Sequence, residues 1–239
     1  MRLILFDCDG TLVDSAATIC ATMQRAFASR GLAEPAEDAI RRTIGLSLGE
    51  VMARLHPAGE EADHDDLVAA YREAFLVMRA SGAPAAEALF DGVHDLLARL
   101  RKRDDVILGI VTGKGRRGVV SFLETYALGG HFLTIRTADD CPSKPHPAMV
   151  LESCLEAGVD PADALVVGDA VFDIAMARAA GAAGIGVTWG NGETSALLEA
   201  GAQHVVNTMD ELETLLAAWI DRGPSIVGSG RAAAEAAEG

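Results

Sequence analysis

The stretch Leu3-Ile4-Leu5-Phe6-Asp7-Cys8-Asp9-Gly10-Thr11-Leu12-Val13-Asp14-Ser15 decides how this chain of 239 residues is read. Leu3 to Phe6 is a short, continuously apolar run closed by acids and a glycine, the form of a strand buried on both faces of a sheet. Asp7 and Asp9 follow it at i and i+2. In an open parallel sheet, ligands bind beyond the carboxyl ends of the strands, so both carboxylates are expected at the mouth of a pocket.

Working outward, similar runs recur at Val106 to Val111, Phe132 to Ile135, Ala164 to Val167 and Gly184 to Val187, with a weaker one at His204 to Val206. Helical patterns separate them. This alternation predicts an α/β fold, a Rossmann-like doubly wound parallel sheet covered by helices on both faces. About a hundred residues lie between the first strand and the second, far more than one crossover helix requires. Ala16, Ile19, Cys20, Met23, Ala26 and Phe27 share a face at helical spacing, as do Leu67, Tyr71, Ala74, Phe75 and Met78. A small all-helical insert is therefore predicted at residues 15–82, with residues 1–14 and 83–239 forming the α/β core. The chain returns through the turn-forming Ser81-Gly82-Ala83-Pro84, and Gly92 to Arg103 reads as the next core helix. The tail, 223–239, has no core-facing pattern and is expected to be flexible.

Composition narrows the function. Half the residues are apolar, enough to build a core, and 35 acidic residues against 20 basic ones leave a net charge of −15. Such a surface repels a phosphate backbone, so nucleic acid and an anionic membrane are not expected partners, and an anionic ligand must be held by local groups. No apolar run approaches the ~18 residues a membrane span needs. The acidic turn at Asp7 and Asp9 is unlike a secretory leader. Cys8, Cys20, Cys141 and Cys154 form no C-x-x-C pair and read as free thiols, so the expected location is the cytoplasm.

The chemistry sits at the strand ends. Gly168-Asp169-Ala170-Val171-Phe172-Asp173 brings a third and a fourth acid directly after a strand. Clustered carboxylates raise one another's pKa values unless a cation sits among them, and an all-oxygen donor set suits Mg²⁺. Thr112-Gly113-Lys114 after the second strand, and Lys144-Pro145 before a later helix, offer a hydroxyl, a glycine-freed N–H and ammonium groups, which are donors for phosphoryl oxygens. The chain has three lysines and seventeen arginines, and two of those lysines, Lys114 and Lys144, fall in these loops.

Asp7-x-Asp9-Gly10-Thr11, then Thr112, then Lys144-Pro145, then Gly168-Asp169-x-x-x-Asp173 resembles the four ordered motifs of the haloacid dehalogenase superfamily. The helical insert after the first motif is similar to the cap of phosphoglycolate phosphatase-like members. The resemblance implies Asp7 as nucleophile and Asp9 as general acid and base. It implies Mg²⁺ held by Asp7, the backbone carbonyl of Asp9 and Asp169, and a phosphoryl group gripped by Thr112, Gly113 and Lys144. Asp173 would orient Lys144 or a metal-bound water, while Gly10, Thr11 and Lys114 support the site. Ala170 stands where many members carry Ser or Thr. The implied activity is hydrolysis of a small phosphorylated metabolite, phosphoglycolate-like or a sugar phosphate, through an aspartyl phosphate, by a monomer or weak homodimer.

Two alternatives share parts of this pattern. A sugar phosphomutase would use the same Asp7 and Asp9 under a cap that excludes water. A receiver-type phospho-switch also groups acids, Thr and Lys at strand ends, but such domains are shorter and lack the insert. Asp9 argues against dehalogenase and phosphonate-cleaving chemistry. For specificity, the loop Arg41-Arg42-Thr43-Ile44-Gly45-Leu46-Ser47 is the candidate, with Arg42 or Ser47 reaching substrate and Gly45 allowing close approach. Asp14-Ser15 reads as a helix N-cap and His146 as loop geometry. The acidic run Glu60, Glu61, Asp63, Asp65, Asp66 reads as a solvated helix start, and Tyr71, Phe75 and Met78 as core.

Overall fold

The structure, a computed structural model, describes residues 1–80 and 87–222; the expected turn at Ser81 to Pro84 and the expected tail lie outside them. Strand β1 (Arg2–Phe6) is central because alternate residues point to opposite faces and all are apolar after Arg2. Leu3 and Leu5 enter one hydrophobic cluster, Ile4 and Phe6 another. Both backbone edges of β1 are paired in parallel, with β4 (Val106–Val111) on one side and β6 (Ala164–Gly168) on the other. The sheet extends through β5 (Thr134–Arg136), β7 (Ala183–Val187) and β8 (His204–Val206) in the order β5-β4-β1-β6-β7-β8, parallel throughout.

Helices cover both faces, as the apolar runs require. On one side α5 (Val93–Leu100), α6 (Arg116–Thr125) and α10 (Met209–Arg222) pack against Ile4, Phe6 and Ile110, with Trp219 fully buried. On the other, α7 (Ala148–Ala157) and α8 (Val171–Ala180) cover Leu3, Leu5 and Val166. Helix α9 (Thr194–Ala200) closes the β7–β8 edge through Leu197. The chain leaves β1 for β4 and β5, then returns to β6 on the opposite side. The order therefore reverses beside β1, which places the ligand crevice at its carboxyl end.

The excursion between β1 and β4 carries α1 (Ala16–Ser29), α2 (Glu37–Arg41), α3 (Leu48–Leu55) and α4 (Glu61–Ala80). These helices have their own apolar cluster, including Met23, Phe27, Ile40, Met52 and Leu67. A two-stranded antiparallel pair, β2 (Val13–Asp14) with β3 (Ala88–Leu89), joins the chain just before the helices to the chain just after them. Strands of two residues have no periodicity to read, and the sequence did not disclose them. Helix α4 begins within the acidic run, where the Asp63 carboxylate accepts the Glu60 N–H at 2.9 Å and first-turn acids oppose the helix dipole favourably.

Three local expectations are corrected. Ser15 occupies the N-cap position of α1, but its backbone is near-helical (φ −114°, ψ −4°) and its hydroxyl makes no cap hydrogen bond. Strand β5 starts at Thr134, because Phe132 turns into the core before the ladder begins. Of the three residues read as core on α4, Met78 is buried, whereas Tyr71 and Phe75 are only partly buried and line a cavity.

Candidate active site

The carboxyl ends of β1 and β6 and the loop after β5 converge on a buried ionic cluster. Asp7, directly after β1, Lys144, in the β5–α7 loop, and Asp173, in the first turn of α8, are each about 1% exposed or less. Lys144 Nζ stands 2.9 Å from Asp7 Oδ1 and 2.5 Å from Asp173 Oδ1. The second oxygen of Asp173 accepts the Ala170 N–H at 3.1 Å, so this carboxylate both caps α8 and fixes the lysine.

Asp169, at the end of β6, is held separately. Its Oδ1 accepts the Thr11 hydroxyl at 3.1 Å, and its Oδ2 accepts the Asn191 backbone N–H at 2.8 Å and side-chain amide at 3.2 Å. The α-carbon of Gly10 packs against this carboxylate where no side chain would fit. Carboxylate oxygens of Asp7, Asp169 and Asp173 all come within 4.8 Å of one another.

The electrostatics are unbalanced. Three buried carboxylates face one ammonium. Burial raises Asp7, against the pull of Lys144, and burial with the neighbouring Asp7 pushes Asp169 up to about 6. Burial opposes the charge on Lys144, yet Asp173 and Asp7 together raise it, so it stays an ammonium. Asp7 Oδ2 is buried without a hydrogen-bond partner among the described residues. A hard divalent cation fits this set: all-oxygen donors, one oxygen free, and excess negative charge.

Asp9 belongs to a second group. Its Oδ1 is 2.8 Å from Lys114 Nζ, which also lies 3.5 Å from Glu87 Oε1. Lys114, read with the phosphate donors from its place after β4, thus turns its side chain to the second acid of the first motif. Its backbone N–H, in contrast, donates to the buried Thr112 hydroxyl at 3.2 Å. Glu87 is anchored by its backbone carbonyl, which accepts from the Tyr126 hydroxyl.

The loop Arg41 to Ser47 lies over this crevice. A Cβ added to Gly113 would stand 2.5 Å from the carbonyl oxygens of Gly45 and Leu46, and one on Gly45 would stand 3.2 Å from Ala170 Cβ. The Ser47 N–H donates to Ser143 Oγ at 3.0 Å, next to Lys144, and Arg41 reaches Asn191 Oδ1 at 3.3 Å. Gly45 and Ser47 line a cavity of about 580 Å³ between the inserted helices and the core, shared with Asp9, Gly113 and Lys114. Arg42 does not join them: it follows the last turn of α2, is exposed, and is absent from the cavity wall. His146, at a loop position, accepts the Ala148 N–H at 3.2 Å.

Asn191 and Glu87 were not singled out from the sequence. Gly190-Asn191-Gly192 after β7 repeats the strand-end logic and could have pointed to Asn191; Glu87 carries no comparable local signal.

Residues 4–187 match the family model described as "Haloacid dehalogenase-like hydrolase". The chain belongs to this family. Within the haloacid dehalogenase-like hydrolases it is 37% identical over 214 residues to "Probable phosphatase IndB" of Dickeya dadantii, covering 88% of this chain and 91% of that one. It is 34% identical to "Phosphoglycolate phosphatase 1" of Pseudomonas aeruginosa, covering 88% and 78%. A crystal structure of a hydrolase from Pseudomonas syringae superposes with a TM-score of 0.80 at 26% identity, covering 91% and 98%. The expected family and fold class both hold. Among the described residues no helix is long and apolar enough to cross a membrane.

Proposed function

We propose that this hydrolase is a metal-dependent phosphatase that cleaves a small phosphorylated metabolite through an aspartyl phosphate on Asp7. The observation that carries the reading is Asp7 itself: a buried carboxylate at the carboxyl end of the central strand, paired with Lys144 through one oxygen and, among the described residues, unpartnered at the other. The curated relatives bearing phosphatase names support the same class.

Each residue then has a task. Asp7 Oδ2 attacks phosphorus, dividing one difficult hydrolysis into two easier steps. Lys144 and Thr112, with the Gly113 N–H, hold the phosphoryl oxygens. Asp9 protonates the departing alcohol oxygen and then takes a proton from the water that releases phosphate from Asp7. Asp173 keeps Lys144 in place, and Thr11 and Asn191 orient Asp169. Mg²⁺ held by Asp7, Asp169 and the Asp9 carbonyl would supply charge neutralisation for an anionic substrate entering an already anionic pocket. The inserted helices act as a lid that excludes bulk water.

Turnover of p-nitrophenyl phosphate tests the reading. Activity is expected to vanish in EDTA and return with Mg²⁺, while Ca²⁺ inhibits because its larger, looser shell misplaces Asp7. Full activity in chelator would overturn the metal requirement. The lid is tested through Gly113→Ala, whose methyl group meets two backbone carbonyls of the insert loop and pushes it away. The expected loss in kcat/KM is roughly 10- to 10²-fold, the scale of a misplacement near 1 Å, with a lower melting temperature because the clash is with backbone.

A further inference from the structure

The cavity between insert and core says what kind of alcohol leaves. Resting on the phosphatase reading, we propose that the substrate is a phosphate monoester of a bulky, largely apolar alcohol rather than of a two-carbon acid.

In the hydrolysis the bond between phosphorus and the alcohol oxygen breaks. Water supplies the hydroxyl that stays with phosphate, and its proton, passed through Asp9, ends on the alcohol. The alcohol must therefore lie on the Asp9 side of the phosphoryl group. Asp9 borders the cavity of about 580 Å³, whereas Asp7, Lys144 and Asp169 lie outside its wall. A volume of this size suits a ligand far larger than glycolate.

Its walls are mainly apolar: Ile19 and Met23 from α1, Ile44 and Leu46 from the overlying loop, Val68 and Phe75 from α4. Lys114, the cation beside Asp9, is already paired with Asp9 and Glu87. The other cations on the wall lie farther out: Arg79 donates to Ser121 Oγ, Arg72 is exposed at 4.0 Å from Asp139, and Arg117, exposed in the first turn of α6, has no ion pair among the described residues. A two-carbon acid held by its phosphate beside Asp9 is too short to fill this volume, while an apolar body gains from burial along the same walls.

The test is a chain-length series of ethyl, butyl and hexyl phosphate with Mg²⁺, alongside phosphoglycolate and p-nitrophenyl phosphate. The straight-chain primary alcohols are leaving groups of nearly equal basicity, so differences report burial rather than bond strength. The kcat/KM is expected to rise by ~3- to 4-fold per methylene, up to the transfer value for full burial, with hexyl phosphate above phosphoglycolate. Val68→Phe, which narrows the cavity, is expected to lower the hexyl-to-ethyl ratio, a quantity independent of the fraction of folded enzyme. A flat or falling series, phosphoglycolate as the best substrate, or an unchanged ratio in Val68→Phe, each overturns the proposal while turnover of p-nitrophenyl phosphate leaves the phosphatase reading standing. No turnover of any ester overturns both.

Discussion

Asp7→Asn is expected to reduce turnover of any phosphate ester by roughly 10⁴- to 10⁶-fold, the scale on which removal of a covalent nucleophile acts. An amide oxygen is a poor nucleophile, and the substitution also takes one anionic donor from the cation site. The fold should survive. Burial already disfavours the charge on Asp7, and Lys144 keeps Asp173 as a partner at 2.5 Å, so a neutral group of the same shape leaves no buried ammonium unpaired. The melting temperature without metal is therefore expected to stay at the wild-type value or rise, while the gain on adding Mg²⁺ shrinks. Steady-state kinetics and thermal melts with and without Mg²⁺ check both halves. Residual activity above a hundredth of wild type would remove Asp7 from the nucleophile's role.

Asp9→Asn separates the two carboxylates of the first motif. The variant keeps its backbone carbonyl for the cation but cannot carry a proton, and both chemical steps should slow by the ~10² to 10⁴ typical of lost general acid–base catalysis. p-Nitrophenolate leaves with little need of protonation, so with that substrate the first step suffers less than the second. Phosphate should accumulate on Asp7, visible as an added phosphoryl group by mass spectrometry after acid quench. Near-wild-type turnover, or phosphate on another residue, would reassign the roles. The Lys114 contact at 2.8 Å also loses its charge partner in this variant, but Glu87 remains within 3.5 Å of the ammonium.

The strand ends were the most legible part of the chain. A run such as Leu3 to Phe6 or Ala164 to Gly168 ends where its apolar residues end, and a parallel sheet brings all such ends to one edge. Asp7, Asp169, Asp173 and Lys144 could therefore be grouped although they lie far apart in sequence. What escaped depends on side-chain direction and on loops. The position of Lys114 after β4 was plain, but nothing in the sequence sets its torsions, and its ammonium turned to Asp9 and Glu87. Arg41 and Arg42 look equivalent in the sequence, and only the end of α2 decides that Arg41 meets Asn191 while Arg42 faces solvent. Tyr71 and Phe75 match the helical period of a core face, yet that face of α4 borders a cavity, and periodicity alone cannot distinguish a filled interior from a hollow one.

The placement of β1 has a kinetic consequence. Both of its sheet neighbours follow it in the sequence: Arg2 pairs with Val106, and Leu3 with Ala164 as well. Neither exists until on the order of a hundred residues more have been made, several seconds to tens of seconds of synthesis at ordinary rates. The inserted helices, joined by local contacts and holding their own apolar cluster, can form during that interval, whereas the sheet, dominated by contacts distant in sequence, must wait. A nascent chain of this protein therefore carries a bare hydrophobic strand until its partners have been made, the period in which a holding chaperone would matter most.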